Sequence, residues 1–381
     1  MAVSRNPIST ENGLALNLKP DVASRLFLYD ADVTPLLAFT EDLKKVRKVT
    51  QPKFQHLYSD QSALTTQVNN GGGYNSSATS IVVDDGTVFN VGDIVTNVST
   101  SEHIRVTAVS TNTLTVVRGF GSTSAASMAD DDYLLVVGNA FGEGTTSPDP
   151  NMLIESSDYN FTQIFKKSVS VTGTAKASEF YVGPELKKRR EQALRDTKRQ
   201  GEMQALFGER YQDASTTNPI RTSAGLNAKV TTNRFSIGGT LSQDYFAQTV
   251  LPAAGRYGSS KKVIYCGVNM LKCFTDWGLD RLQTFTSDTM LGFKAREYIN
   301  PFLDLMVVRH KMLEGALAGY AFIVDPENFY RAELPGRSLT YQENIQENDR
   351  DGQKDQWFGE WGYDIPLEKS HAVLTGITGP A

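Results

Sequence analysis

PELKKRREQALRDTKRQGEMQALFG, residues 184–208, carries charge on almost every face and sits between two β-rich regions. Its pattern predicts one helix of roughly seven turns, about 36 Å long, which is as long as a small domain is wide. Pro184 suits a first helical position and Gly208 a left-handed stop. Ala193, Thr197, Gly201 and Ala205 recur every four residues with Leu186 and Leu194 beside them. Small residues at that spacing form a thin lining along which the backbone can lie close to a sheet or another helix. Lys187, Lys188, Arg189, Arg190, Glu191, Arg195, Asp196, Lys198, Arg199 and Glu202 make up the rest of the circumference. Glu185–Arg189 and Glu191–Arg195 are i,i+4 pairs in the better orientation, each worth a few tenths of a kcal/mol. Gly201 inside the helix costs about 1 kcal/mol relative to alanine. No heptad is sustained, so a coiled coil is disfavoured. Two readings stay open: a solvated surface helix, and a rigid strut whose polar faces meet identical neighbours.

With 381 residues, 40% of them hydrophobic and 21% charged, the chain is expected to be globular, with two or three cored domains. No run of about 18 apolar residues occurs, so no membrane-spanning helix is expected. The opening MAVSRNPISTENGLALNLKP lacks an apolar stretch and a cleavage motif, so it does not read as an export signal. Cys266 and Cys273 are the two cysteines, too few for a disulfide scaffold and wrongly spaced for zinc, which suits synthesis in a reducing cytoplasm. Net charge is −5. Tight sequence-independent binding to nucleic acid needs a basic surface, so a DNA-binding protein is disfavoured, whereas one that encloses DNA is not.

A seam crosses the first half. Between Lys53 and Lys166 there is no lysine, and Arg105 and Arg118 are the only strong cations. Short β runs fill that window: TSIVV (79–83), DIVTNV (93–98), HIRVTAV (102–109 region), TLTVVR (113–118) and YLLVV (133–137). Asp84-Asp85-Gly86 and Val91-Gly92-Asp93 supply turn chemistry. Five strands in so short a window predict an inserted β-barrel or small sandwich, with a decorated hairpin as the alternative. Asn69–Gly73 and Gly142-Glu143-Gly144 read as the joints on either side.

Before the insert, Lys44, Lys45, Arg47 and Lys48 cluster within TPLLAFTEDLKKVRKVTQPKFQHLYSD (34–60). They read either as lysine protection of an exposed strand or as a contact for an acidic neighbour. After it, Tyr159–Thr174 alternates as a long strand leading to the helix. Further on, 241–258 reads as an amphipathic helix, KKVIYC (261–266) as a buried strand and 268–278 as a helix. Strands follow at 305–310, 320–325 and 328–334, and two more in the aromatic-rich 355–377. The class is therefore α+β.

Chemistry-bearing motifs are sparse. There is no G-x-S-x-G elbow, no P-loop and no H-E-x-x-H. His56, His103, His310 and His371 are scattered without metal-site spacing, and Asp130-Asp131-Asp132 lacks the alternating oxygens of a calcium loop. No catalytic residue, cofactor or metal is assigned.

Four stretches together resemble the major capsid proteins of tailed bacteriophages with the Hong Kong 97-like fold, and among them the podovirus-type major head proteins. They are YNFTQIFKKSVSVTGTAKASEFYVGPEL (159–186), GEMQALFGER with NPIRTSAGLNAKVTTN (201–233), FLDLMVVRHKMLEGALAGYAFIVDPENFYRAELPGR (302–337) and WFGEWGYDIPLEKSHAVLTGI (357–377). The insert, with VGDIV and LTVVRGFGST, is similar to the β-insertion of such head proteins. The likeness spans roughly residues 30–377, and order and spacing carry it rather than any single motif. It implies an N-terminal arm (1–30), an extended loop (31–70 and 141–159) and an inserted β-domain (71–140). It further implies a peripheral domain (160–235 and 326–381) built on the spine helix, and an axial domain (236–325). The implied function is a structural shell of pentamers and hexamers around double-stranded DNA, assembled in the host bacterial cytoplasm. Implied partners are further copies of the chain, a portal, a separate scaffolding protein and a cement or decoration protein. Lys187, Arg190, Arg195 and Arg199 on the helix, with Lys44, Lys45, Arg47 and Lys48 on the loop, are the candidate inter-subunit contacts. A tail or decoration protein and an enzyme with a dispersed site are the competing classes; neither accounts for the long charged helix.

Overall fold

In a computed structural model of the protein, the described residues are 34–42, 44–59, 63–147, 155–178, 185–213, 215, 217–277 and 295–381. The expected arm 1–30 and Pro184 lie outside them. The chain divides into two compact units, residues 57–157 and the remainder.

The larger unit is organised by two sheets and the predicted helix, which runs unbroken over Glu185–Phe207. The first sheet orders its strands Val46–Lys48, Tyr330–Glu333, Gly352–Asp364 and Gln163–Thr172, with Thr340–Gln342 also paired to Gly352–Asp364. Gln163–Thr172 runs antiparallel to Gly352–Trp361 in unbroken register, Gln163 opposite Trp361 and Thr172 opposite Gly352. Alternation then places Phe165 and Val169 on the buried face and Ile164 and Lys166 outside. Ala193, Thr197, Gly201 and Ala205 are all buried, as the four-residue spacing predicts. A Cβ on Gly201 would lie 3.0 Å from Trp361 Cζ2 and 3.4 Å from Leu37 Cδ1. The glycine is thus a packing position, where Trp361 stacks on Phe165 at 4.2 Å and presses against the helix. Gly208 does end the helix, but not with the left-handed backbone expected of it. It is required because a Cβ there would sit 2.5 Å from both the Gln204 and Ser223 carbonyl oxygens.

The second sheet is mixed and orders Arg234–Leu241, Ala372–Pro380, Ala321–Val324, Lys261–Cys266, Leu303–Arg309 and Ala295–Asn300. Lys261–Cys266 is central and buried beyond its first residue. Ile264 and Cys266 face one core with Met270, Cys273 and Phe274 of the helix Val268–Trp277. Val263 and Tyr265 face a second core shared with Leu36, Ala205, Leu206 and Trp361, so both faces are covered. The amphipathic stretch after Leu241 is helical, capped by the Ser242 hydroxyl accepting from the Tyr245 amide at 3.2 Å. It winds as a π turn over Phe246–Val250, ending two residues before Pro252, which has no N–H to give the preceding turn.

The smaller unit holds the five expected strands and a sixth, Thr65–Gln67, in a six-stranded sheet. The order is Thr65–Gln67, Tyr133–Asn139, Asp93–Asn97, His103–Ser110, Thr113–Val117 and Ser80–Val82. Strands thus begin before residue 71, where the glycine run had suggested the boundary. A bridge between Val68 and Val83 brings the two edges together, and bulges at Ile94/Val95 and Val106/Ala108 help curl the sheet. The result is a small barrel filled by Val68, Ile81, Val95, Ile104, Val106, Leu114 and Leu134. Fully buried Glu102 accepts from Arg118 through two nitrogens at 2.8 Å, and from the Gly119 and Ala126 amides, fixing the long loop after Val117. A two-stranded ribbon pairs Lys53–Tyr58 with Ser156–Phe161.

Candidate assembly surfaces

The helix separates its four candidate cations by environment. Lys187, Arg195 and Arg199 stand on exposed positions. Arg190 does not: its side chain is 28% exposed and pairs with Asp355, which is fully buried, at 2.7 Å and 3.0 Å. Burial works against the Asp355 charge, but hydrogen bonds from Tyr341, the Asn344 amide, Arg190 and Gln353 outweigh it and hold the carboxyl at about 2. Arg190 therefore spends its charge within its own chain and is not the freely exposed cation that its place in the sequence suggests.

The loop cluster divides in the same way. Lys44 and Lys48 are exposed, Lys44 in a turn with φ 52° after the helix Pro35–Asp42. Lys45 lies over the Tyr330 ring at 5.2 Å. Arg47 is paired with Asp364, whose other oxygen is 2.8 Å from His56 Nδ1. Among the described residues Val46–Lys48 is an edge strand, paired within its sheet to Tyr330–Glu333 alone, so the cluster borders an edge of the kind lysines protect.

Glu202, counted from sequence among the polar circumference, is fully buried. Its two oxygens accept from the Leu36 and Leu37 amides at 2.8 and 2.9 Å, and Oε1 is 2.9 Å from His310 Nε2. One carboxylate thus caps the helix Pro35–Asp42 and joins it to the long helix and to the end of the second sheet. No sequence signal marks Glu202, because its partners are 165, 166 and 108 residues away.

A second buried polar cluster closes the far end of that sheet. Lys262 Nζ donates to the carbonyls of Ala254, Tyr257 and Ser370 at 2.6, 2.8 and 2.6 Å, and burial lowers its pKa to about 8. His371 is buried beside it. Its Nδ1 accepts from the Asp325 amide at 3.1 Å, and desolvation is the main cause lowering it to about 4. Ser259 donates to Asp325 and lies against the Lys261 carbonyl. Lysine, aspartate, histidine and serine meet here, yet each is committed to fixing backbone. Among the described residues no group of three or more His, Cys, Asp or Glu is placed to hold a metal ion. Asp132 of the acidic triplet is used in a turn, accepting from Ser99, Asn97 and the Ala129 amide.

The geometry is that of surfaces presented by two cored units. The SU10 major capsid protein family matches this sequence over residues 8–378. The chain belongs to that family. The major capsid protein of Pseudomonas phage PaMx41 is 24% identical over 400 residues, covering 97% of this chain and 94% of that one. Among solved structures, the capsid asymmetric unit of cyanophage A-1(L) superposes with a TM-score of 0.56 at 11% identity, covering 97% of this chain and 100% of its own. The capsid of cyanophage P-SCSP1u is similar at a TM-score of 0.48 and 10% identity, covering 98% and 96%. The fold is the Hong Kong 97-like capsid fold, and the protein is a structural major capsid protein of a tailed phage, a component of the virion shell.

Proposed function

We propose that the chain forms pentamers and hexamers that close an icosahedral head around a double-stranded DNA genome, with no catalytic role. The match to a capsid family across residues 8–378 carries this reading. Repeated heterologous contacts about rotation axes close rings, and modest interfaces become strong through multivalency. A net charge of −5 suits a wall that holds packed DNA without binding it tightly. In this reading residues 236–325 meet at capsomer centres, and 160–235 with 326–381 form the peripheral body. The loop 31–70 with 141–159 crosses a neighbour, and 71–140 projects. Lys187, Arg195 and Arg199, with Lys44 and Lys48, supply charge contacts between copies. A portal, a separate scaffolding protein and a cement protein are the partners, and assembly takes place in the host cytoplasm.

Negative-stain microscopy of the purified chain tests the proposal. Shells, tubes or hexameric rings are expected. Fibres or trimers would indicate a tail component instead, and small discrete oligomers with turnover of a small molecule would indicate an enzyme.

A further inference from the structure

The barrel uses nearly all of its charges internally. Arg118 is bound to Glu102; Asp84, Asp85, Asp93, Asp130 and Asp132 accept from Asn69, Thr87, the Asn90 amide, the Asn70 amide and Ser99. Among the described residues of the barrel, residues 65–139, two charged side chains have no such partner: Arg105 and Asp131. They have opposite signs and are not paired with each other. Arg105 stands beside outward-facing apolar side chains, and Asp131 lies in an acidic turn two residues before an exposed tyrosine. Arg105 is flanked across the strands by Ile94 and Val117, the latter 49% exposed. Asp131 precedes Tyr133, 53% exposed, whose carbonyl accepts from the amide of Val98, 57% exposed. The Arg105 Nε is itself buried without an acceptor.

An arginine beside exposed apolar surface matches the composition of an interface centre, where arginine and tyrosine are among the residues that carry most of the binding energy. A two-fold contact of the Arg105 patch with itself would set guanidinium against guanidinium. A head-to-tail contact sets Arg105 against Asp131, the complement the barrel already carries. We infer that the barrel is an assembly element in its own right, in which the Arg105–Val117 patch of one copy docks on the Asp131–Tyr133 patch of a second copy of this chain. This rests on the capsid reading and adds to it a specific, directional contact between inserts.

Two measurements on the full-length chain test it. The first follows the assembled fraction of Arg105→Asp, Asp131→Arg and the double reversal by sedimentation, with circular dichroism verifying the fold of each. Each single reversal is expected to lower the assembled fraction or the salt resistance of particles several-fold, and the double to restore it. The second pairs Arg105→Cys with Asp131→Cys in one chain and oxidises the particles. A covalent ladder on non-reducing gels, absent from either single variant, is the expected result; Cys266 and Cys273 are buried and do not compete. Shells that form normally from both single reversals, with no ladder from the cysteine pair, would overturn the contact while leaving the capsid reading intact. Failure of the unaltered chain to assemble at all would overturn both.

Discussion

Gly201 shows how a single residue can mislead when read alone. Its helix-propensity cost predicts that alanine would gain about 1 kcal/mol. In the fold, the added methyl meets the Trp361 ring at 3.0 Å, and that ring is held by its stack on Phe165. Gly201→Ala is therefore expected to leave stability unchanged or lower it by about 1 kcal/mol, because overpacking offsets the propensity gain. Denaturant melts of the unassembled chain check this, and a clear rise would mean the ring has room. His371 gives a pH dependence of definite sign. Its folded pKa, about 4, lies below the ordinary 6.5, so the unfolded chain binds the extra proton first as pH falls. The contribution is fully present above pH 6.5 and is lost between 6.5 and about 4, on the order of 3 kcal/mol in all. His371→Gln should flatten that part of the stability profile in melts taken from pH 7 to 4.5; an unchanged slope would assign it to other groups.

At the scale of the element, the long helix has two kinds of cation, and they should respond differently to removal. Arg190→Ala leaves the buried Asp355 carboxylate without its guanidinium and is expected to cost the isolated chain about 2 kcal/mol. Replacing Lys187, Arg195 and Arg199 together by alanine should lower particle yield while the melting of the isolated chain changes little. If the triple variant assembles normally, the helix charges are a solvated face and nothing more. The sequence displayed the helix through its four-residue lining, and displayed the barrel strands through alternation between turn residues. Both are local periodicities. What it hid was long-range: Asp355, which claims Arg190 from 165 residues away, and Glu202, an ordinary charge in a charged helix until Leu36 and His310 are placed against it. The strand Thr65–Gln67 was missed because three residues are too few for alternation to register. The candidate contacts were legible as charge, but which charges were already spent was not.

For the molecule as a whole, each unit has a core of its own. Every member of the barrel's cluster lies between Val68 and Leu134, and none belongs to the clusters of the two large sheets. Calorimetry of the unassembled chain should accordingly resolve two transitions. Replacing residues 65–139 by a short Gly/Ser linker should remove one and preserve the other. A single transition lost entirely on deletion would show the barrel to be part of one cooperative whole.

The Glu202 carboxylate also says where this polypeptide can bend. Peeling the segment Pro35–Asp42 away would strand an anion in an apolar interior and strip two amides of their acceptor, which is prohibitive for a routine motion. Any swing of the ribbon beyond it must therefore pivot downstream of Asp42, with the short helix staying behind as a fixed anchor.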